Sequence, residues 1–299
     1  MKNILVTGAT GYIGSHVVAE LLKFPNYFNV IATSRSNHSD FLYDLGGGRF
    51  VVFDITKDVD SLKDVREVFG LPDVCIHLAW RNGFVHNDSS HIQDLSSHFK
   101  FLRALIDGGC KHIAVAGSFR EYGRVNGMVQ SSAFSEPRNL YTLSKLTLKK
   151  SLEIYLGKNS DVVFQWLRPF TIYGDDIQTD SIFSKIISWE KMGKEYFPFT
   201  DGEEEYDYLS VHNLAKQIVA VVDQNRVSGT IDCCSGRPKK LGQKINEFLE
   251  ENKFHIRPQY GIFERRSYDS PCIYGDNSKI RAILRSSRFY ANKVDEILS

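Results

Sequence analysis

Tyr141 and Lys145 stand four residues apart in the segment Tyr141-Thr142-Leu143-Ser144-Lys145. On a helix that spacing puts both side chains on one face. A free tyrosine, with a pKa of about 10, is a poor base at neutral pH. An ammonium beside it favours the phenolate and would lower that value. The pair could therefore pass a proton to or from a substrate oxygen. The same spacing also arises by chance on the outer faces of helices, so the pair needs company. Ser118 supplies it, lying just past the apolar run Ile113–Ala116. In a parallel sheet the carboxyl end of such a strand is the edge where ligands bind. A hydroxyl there can hydrogen-bond an oxygen that gains negative charge during reaction.

A second group of residues suits an anion. Val6-Thr7-Gly8-Ala9-Thr10-Gly11-Tyr12-Ile13-Gly14 spaces its glycines as G-x-x-G-x-x-G. A strand that turns sharply into a helix can aim backbone N–H groups at a pyrophosphate, provided no side chain blocks the approach. The last glycine lets helix and strand pack closely. Such a triplet can equally be a plain structural turn. Here it follows a strand at 4–7 and opens a helix at 13, which predicts dinucleotide binding by Gly8, Thr10, Gly11, Tyr12 and Ile13.

The end of the next strand bears on which dinucleotide. An acid about twenty residues past the turn accepts from a ribose 2′-hydroxyl. This chain reads Ala32-Thr33-Ser34-Arg35-Ser36 there, with no acid. A carboxylate repels a 2′-phosphate, whereas a guanidinium forks onto it. The expectation is NADP(H), with Arg35 and one of Ser34 and Ser36 on the phosphate. The alternatives are a solvated Arg35, or one stacked on adenine without selecting a cofactor. Asp54, before Ile55, could accept from an adenine amino group or cap the next helix.

These groups need elements to position them. Short apolar runs at Ile4–Thr7, Val30–Thr33, Phe50–Phe53, Val74–Ala79, Ile113–Ala116 and Val162–Leu167 read as strands. Helical patterns at Ile13–Lys23, Ser61–Phe69, Ile92–Ile106 and Leu140–Tyr155 fall between most of them. Continuous apolar strands alternating with helices predict an α/β fold, a Rossmann-type doubly wound parallel sheet covered on both faces. Beyond Tyr173-Gly174 the pattern is less regular. Helices are expected at Ile182–Met192, Val211–Val222 and Leu241–Glu251, a strand at Thr230–Cys233, and a polar acidic run at Asp201–Asp207, with Glu203–Glu205 as a solvated loop. The expected organisation is an NADP-binding domain over 1–172 and a smaller α/β substrate-binding lobe over 173–299. The chain crosses back to the first domain once, near 211–235.

Composition excludes some classes. In 299 residues the net charge is +1, which gives no sign of nucleic acid or an acidic membrane as partner. The five cysteines lack CxxC spacing, and Cys233 and Cys234 are adjacent, so they read as reduced and the protein as cytoplasmic. No apolar stretch is long enough for a signal peptide or a spanning helix. The nine histidines show no ligand spacing, so no metal is expected, and His77 reads as a hydrogen-bonded structural residue. Arg281, Arg285 and Arg288 read as a solvated helix face, with a diphosphate contact as the alternative.

Together, the glycine turn, Asp54, His77-Leu78-Ala79, Ser118 with Tyr122-Gly123, Tyr141 with Lys145, and Arg168-Pro169 with Tyr173-Gly174 resemble an extended short-chain dehydrogenase/reductase, in the NAD-dependent epimerase/dehydratase branch that modifies nucleotide sugars. The resemblance covers nearly the whole chain. It implies catalysis by Ser118, Tyr141 and Lys145. It also implies a cofactor held by the glycine turn, Arg35, Ser36, Asp54, Ile55, Leu78, Ala79, Trp80, Tyr141, Lys145 and Pro169. Lys145 would hold the nicotinamide ribose as well as tune Tyr141. A nucleotide-linked sugar would meet Arg81, Ser118, Phe119, Arg120 and Tyr141, with one of Arg120 and Glu121 facing it. Homodimers are common among such enzymes. Two departures stand out. Tyr206 and Asn213 replace the arginine and second aspartate of the family's R-D-[YF]-[LIV]-x-V-x-D-[LVA] segment. Asp94 stands where an asparagine is usual, and an acid there could pair with Lys145.

Arg35 favours net reduction, because cells hold NADP mostly in its reduced form. Gly117–Gly123 with Gly127, Gly229–Pro238 and Tyr274-Gly275-Asp276 are similar to the reductases that act on dTDP-4-dehydro-6-deoxyglucose. The reaction expected from that similarity is NADPH-dependent reduction of the C4 ketone of a nucleotide-linked 4-dehydro-6-deoxyhexose, giving dTDP-fucose for a surface polysaccharide. A nucleotide-sugar 4-epimerase is the alternative enzyme. A non-catalytic NADP-binding sensor or scaffold is the alternative of another class, though such proteins typically lose the tyrosine or the lysine.

Overall fold

A computed structural model describes residues 1–38, 40, 47–62, 64–157, 161–174 and 181–299. The strands in chain order are β1 (Lys2–Thr7), β2 (Phe28–Ser34), β3 (Arg49–Val52), β4 (Val74–His77), β5 (His112–Ala116), β6 (Asn126–Val129), β7 (Val163–Pro169), β8 (Thr171–Tyr173), β9 (Tyr196–Pro198), β10 (Glu205–Ser210), β11 (Gly229–Cys233), β12 (Pro238–Lys240), β13 (Arg257–Gln259) and β14 (Cys272–Gly275). Seven of them form a parallel sheet in the order β11-β7-β5-β4-β1-β2-β3, the doubly wound arrangement expected from the alternating pattern.

Alternation of side chains along each strand divides the interior. Ile4 and Val6 of β1 pack on one face with Val17, Val18 and Leu21 of the helix Tyr12–Leu22 and Ile218 and Val222 of the helix Val211–Asp223. Leu5 points to the other face, with Phe101 and Leu105 of the helix Leu95–Asp107 and Leu148 and Leu152 of the helix Leu140–Leu156. The last of these helices has sharp limits. Asn139 caps its start by accepting from the amide of Thr142 at 3.0 Å, and Gly157 ends it at φ 63°.

A second sheet has the order β12-β10-β14-β6, with β8 beside β10. Two of its strands correct the sequence reading. β6 comes from the stretch between Ser118 and Tyr141, so the chain visits this sheet before Tyr173 as well as after it. Its four residues are too few to show a period. β10 begins at Glu205, inside the run Glu203–Glu205 expected to be solvated, and Glu204 is buried. Further along β10, Asp207 is fully buried because the amides of Ser235, Gly236 and Gly275 and the hydroxyl of Ser235 all donate to its carboxylate. β11 returns to the first sheet beside β7, and Val211–Asp223 packs on Tyr12–Leu22.

Among the described residues no helix is long and apolar enough to cross a membrane. All five cysteines are free.

Candidate active site

The carboxyl ends of β1, β4 and β5 converge on one region. After β1, Gly8 adopts φ +66°, and a Cβ on it would lie 2.8 Å from the amide nitrogen of Ala79 after β4. A Cβ on Gly14 would overlap the carbonyl oxygen of Gly8. The helix Tyr12–Leu22 starts at Gly11 with no side-chain cap. The pressed backbone at the start of this helix gives an anion a close approach. These residues fit a pyrophosphate. Thr7 stitches the neighbouring turn, its carbonyl accepting from Leu78 at 3.3 Å and its hydroxyl from Ala79 at 3.2 Å.

The other cofactor candidates lie around this turn. Arg35 and Ser36 are exposed just past β2, and Ser36 bonds His38 at 2.9 Å. Asp54 caps the short helix Ile55–Asp58, accepting from the amide and hydroxyl of Thr56 at 3.0 and 2.8 Å. Its carboxyl is held below the usual range: the Thr56 bonds, Lys57 and Arg35 together outweigh burial, the largest single influence. Ile55 and Pro169 are buried.

Ser118 sits at the end of β5 and caps a single 3-10 turn, Phe119–Tyr122. Its hydroxyl accepts from the amide of Arg120 at 3.2 Å, and its own amide donates to Glu121 at 2.8 Å. Tyr141, on the facing helix, lies near enough for the Ser118 hydroxyl to favour its ionised form. One turn on, Lys145 is buried and donates to the carbonyl of Ala116 at 2.7 Å. Its ammonium lies 4.0 Å from the centre of the Trp80 ring and 5.9 Å from that of Tyr141. Ser118, Tyr141 and Lys145 thus meet at one point, with Trp80 over the lysine.

The electrostatics differ from the simple expectation of a lysine lowering a tyrosine. The Tyr141 ring is partly exposed but its hydroxyl end is enclosed. Burial first, then the carboxylate of Glu121, push that hydroxyl up to about 12, against the nearby Ser118 hydroxyl and Arg120. Burial pulls Lys145 down to about 7, and Glu121 offsets part of the loss. Desolvation outweighs charge attraction in so dry a place.

Behind Trp80 lies a row of imidazoles. His77 is fully buried between the hydroxyl of Thr7 and Nδ1 of His98, each at 3.0 Å. His98 stacks on Trp80 at 4.5 Å, and the Trp80 indole donates to His91 at 3.1 Å. The structural role expected of His77 is what these bonds describe.

Candidate substrate residues divide into two sets. Phe119 is buried against Phe170, their centroids 5.3 Å apart, and Arg120 faces a cleft lined also by Tyr206, Tyr268 and Ser270. There Arg120 pairs with Asp269. Glu121 turns inward and is fully buried, so of the two it is Arg120 that reaches the cleft. Arg81 is held by both carboxylate oxygens of Asp94, the second bond at 2.8 Å. Asp94 therefore pairs with Arg81 and not with Lys145, since Lys145 is spent on Ala116. Tyr206 lines the cleft, and Asn213 bonds the carbonyl of Glu296 at 3.2 Å. His86, Tyr268 and Asp269 were not legible in the sequence. They sit on irregular loops whose path no period reveals.

Comparison with known proteins follows the same lines. The family described as "NAD dependent epimerase/dehydratase family" matches residues 4–234. A curated relative, dTDP-6-deoxy-L-talose 4-dehydrogenase (NAD(+)) from Aggregatibacter actinomycetemcomitans, is 36% identical over 276 residues, covering 91% of this chain and 99% of the relative. Among solved structures, a UDP-glucose-4-epimerase from Stenotrophomonas maltophila with bound NAD and formylated UDP-arabinopyranose has a TM-score of 0.81 at 19% identity, covering 100% of this chain and 98% of its own. MoeE5 in complex with UDP-glucose and NAD gives 0.77 at 22%, covering 99% and 98%. At those identities the two structures show a shared fold.

Proposed function

The chain belongs to the NAD dependent epimerase/dehydratase family, and from that membership we propose that it is an oxidoreductase acting at C4 of a nucleotide-linked 6-deoxyhexose. The observation that carries the proposal is the meeting of Ser118, Tyr141 and Lys145 beside the glycine turn. The name of the 36% relative supports the sugar class, since it joins dTDP, a 6-deoxyhexose and C4. The preferred reaction is reduction of dTDP-4-dehydro-6-deoxyglucose to dTDP-fucose.

A reduced nicotinamide, when bound, supplies hydride to the C4 carbon. Gly8, Thr10, Gly11, Tyr12 and Ile13 would hold the pyrophosphate, with Leu78, Ala79, Trp80 and Pro169 along the rest of the cofactor. Tyr141 donates its phenolic proton to the oxygen that becomes the C4 hydroxyl. Ser118 hydrogen-bonds that oxygen while its charge grows. Lys145 returns a proton toward Tyr141 and holds the ribose. The neutral phenol that burial and Glu121 maintain is the form a proton donor needs. Arg120 leaves Asp269 for an oxygen of the substrate.

NADP(H) is the preferred cofactor because Arg35 stands at the end of β2 where no acid does. The relative's name carries NAD(+), so NADH is the comparison to make. The test is to incubate the protein with NADPH or NADH and dTDP-4-dehydro-6-deoxyglucose, in reverse with NADP+ or NAD+ and dTDP-fucose, and separately with NADP+ or NAD+ and dTDP-6-deoxy-L-talose, the sugar in the relative's name. Cofactor consumption with a new C4 hydroxyl supports the reading. Sugar interconversion without consumption makes the protein a 4-epimerase. Tight NADP binding with neither makes it a sensor or scaffold.

A further inference from the structure

Glu121 has no solvent contact, yet it is ringed by donors. Its carboxylate accepts from the amide of Ser118 at 2.8 Å, from the indole of Trp166 at 3.0 and 3.1 Å, and from Nε of Arg168 at 2.9 Å. Arg168 is as deeply buried, lies 4.2 Å from the centre of the Tyr122 ring, and donates to Ser135 at 2.7 Å. Tyr122 donates to Asp232 of β11 at 2.8 Å. The backbone is shaped around the pair: a Cβ on Gly117 would overlap both Trp166 and Glu121. One carboxylate therefore ties the Ser118 turn to β7, and Tyr122 ties it to β11.

We propose that Glu121 is a positioning residue of the Ser118–Tyr141–Lys145 site: its buried carboxylate, anchored by Arg168 and Trp166, fixes the turn that carries Ser118 and holds a negative charge before Tyr141 and Lys145. The proposal rests on the reading of Tyr141 as proton donor. A buried ion pair costs desolvation and is a weak source of stability. An apolar pair would fill the same space. What it would not supply is the charge.

The groups facing this charge are known from each packed element. Tyr141, Lys145 and Lys149 come from the helix Leu140–Leu156, Arg168 from β7, Asp232 from β11 and Arg120 from the turn itself. Glu121 raises Tyr141, Lys145 and Lys149 alike, adding to the burial that keeps the phenol neutral and offsetting part of the burial that lowers both ammoniums. A site that must give a proton to a ketone oxygen is served by that bias.

The test is Glu121→Gln, which keeps size and an acceptor for Ser118 and removes the charge. Ionisation of Tyr141 is read from tyrosinate absorbance as the difference from the matching Tyr141→Phe protein, with no substrate present. It is expected to move to lower pH by on the order of one unit. With dTDP-4-dehydro-6-deoxyglucose and NADPH, kcat is expected to fall roughly tenfold to a hundredfold with KM little changed. Glu121→Asp restores the charge and is expected to restore the ionisation. If Glu121→Gln does not fold, Glu121→Gln with Arg168→Met removes both ions together and is read the same way. A folded variant whose Tyr141 ionises as in the wild type overturns the proposal, as does an Asp variant that ionises like the Gln one. Absence of turnover in the wild type would sink the sugar assignment alone, because the absorbance titration still decides this one.

Discussion

The amide of Tyr141 donates to the carbonyl of His86 at 2.9 Å, and the two rings stack with centroids 5.9 Å apart at 17°. The neighbouring amide, Leu140, donates to the side chain of Asn87 at 3.3 Å. A loop with no regular structure thus grips the first turn of the helix that carries Tyr141. Burial, with Arg120 and Arg266 nearby, pulls His86 down to about 4. Its ring stays neutral beside Tyr141 through the physiological range, so changes in rate near neutrality report on other groups.

Replacing Tyr141 by Phe is expected to leave NADPH binding near wild type, because in the proposed site the phenol would contribute at most one hydrogen bond to the cofactor. Turnover is expected to fall by at least ~10²-fold, the usual worth of a positioned proton donor. Fluorescence titration with NADPH and a steady-state assay on the same preparation separate the two. Near-wild-type turnover would remove Tyr141 from the mechanism.

Arg35→Ala tests cofactor choice. A charge-assisted bond to a 2′-phosphate is worth about 1.5–3 kcal/mol, or roughly tenfold to a hundredfold in affinity. The Kd for NADPH should rise by that factor while the Kd for NADH hardly moves. Equal effects on the two would show that Arg35 does not read the phosphate.

Acid should destabilise the fold through its buried histidines. Burial, with Lys145 and Arg81, holds His98 at about 3, and burial holds His112 at about 4. An unfolded histidine takes up its proton near 6.5. Below that pH the unfolded chain binds more protons than the folded one, so stability falls with falling pH until the folded values are passed. His98→Gln keeps a partner for His77 and removes one step. Its Tm should fall less steeply than that of the wild type between about pH 6.5 and pH 4, measured by calorimetry. Parallel curves would mean that His98 is charged in the folded protein.

Gly14→Ala should be among the costliest small changes in the chain. The added methyl has only the carbonyl of Gly8 to occupy, and helix and strand must separate to admit it. Overpacking of this kind costs about 1–3 kcal/mol. A lower Tm together with weakened dinucleotide binding is expected. Gly229→Ala at the start of β11 also meets a positive φ, but open space surrounds it, so its binding of cofactor should be unchanged.

The seven-stranded sheet was legible because its strands are continuous apolar runs separated by amphipathic helices. The meeting of Ser118, Tyr141 and Lys145 was legible because each sits at a place the βαβ pattern defines, a strand end or one face of a helix. What the pattern did not carry was the environment. Glu121 reads, with Arg120, as a residue that could face the substrate, and its burial depends on Arg168 and Trp166 more than forty positions away. Asp207 reads as the aspartate of a family segment, but its burial is settled only when the amides of Ser235, Gly236 and Gly275 are brought to it. The direction in which Tyr141 is shifted followed the same logic. Spacing identified its charged neighbour, but burial decided the outcome.

The two sheets exchange strands. β6 leaves the neighbourhood of Ser118 to lie beside β14, and β11 returns from the far side to lie beside β7. No single cut in the polypeptide divides them. A chimera joined at residue 173 would pair β6 with a foreign β14 and give β7 a foreign edge strand. Grafting a relative's second sheet onto this first one therefore needs junctions at every crossing, and a library built on one breakpoint should yield mostly insoluble protein.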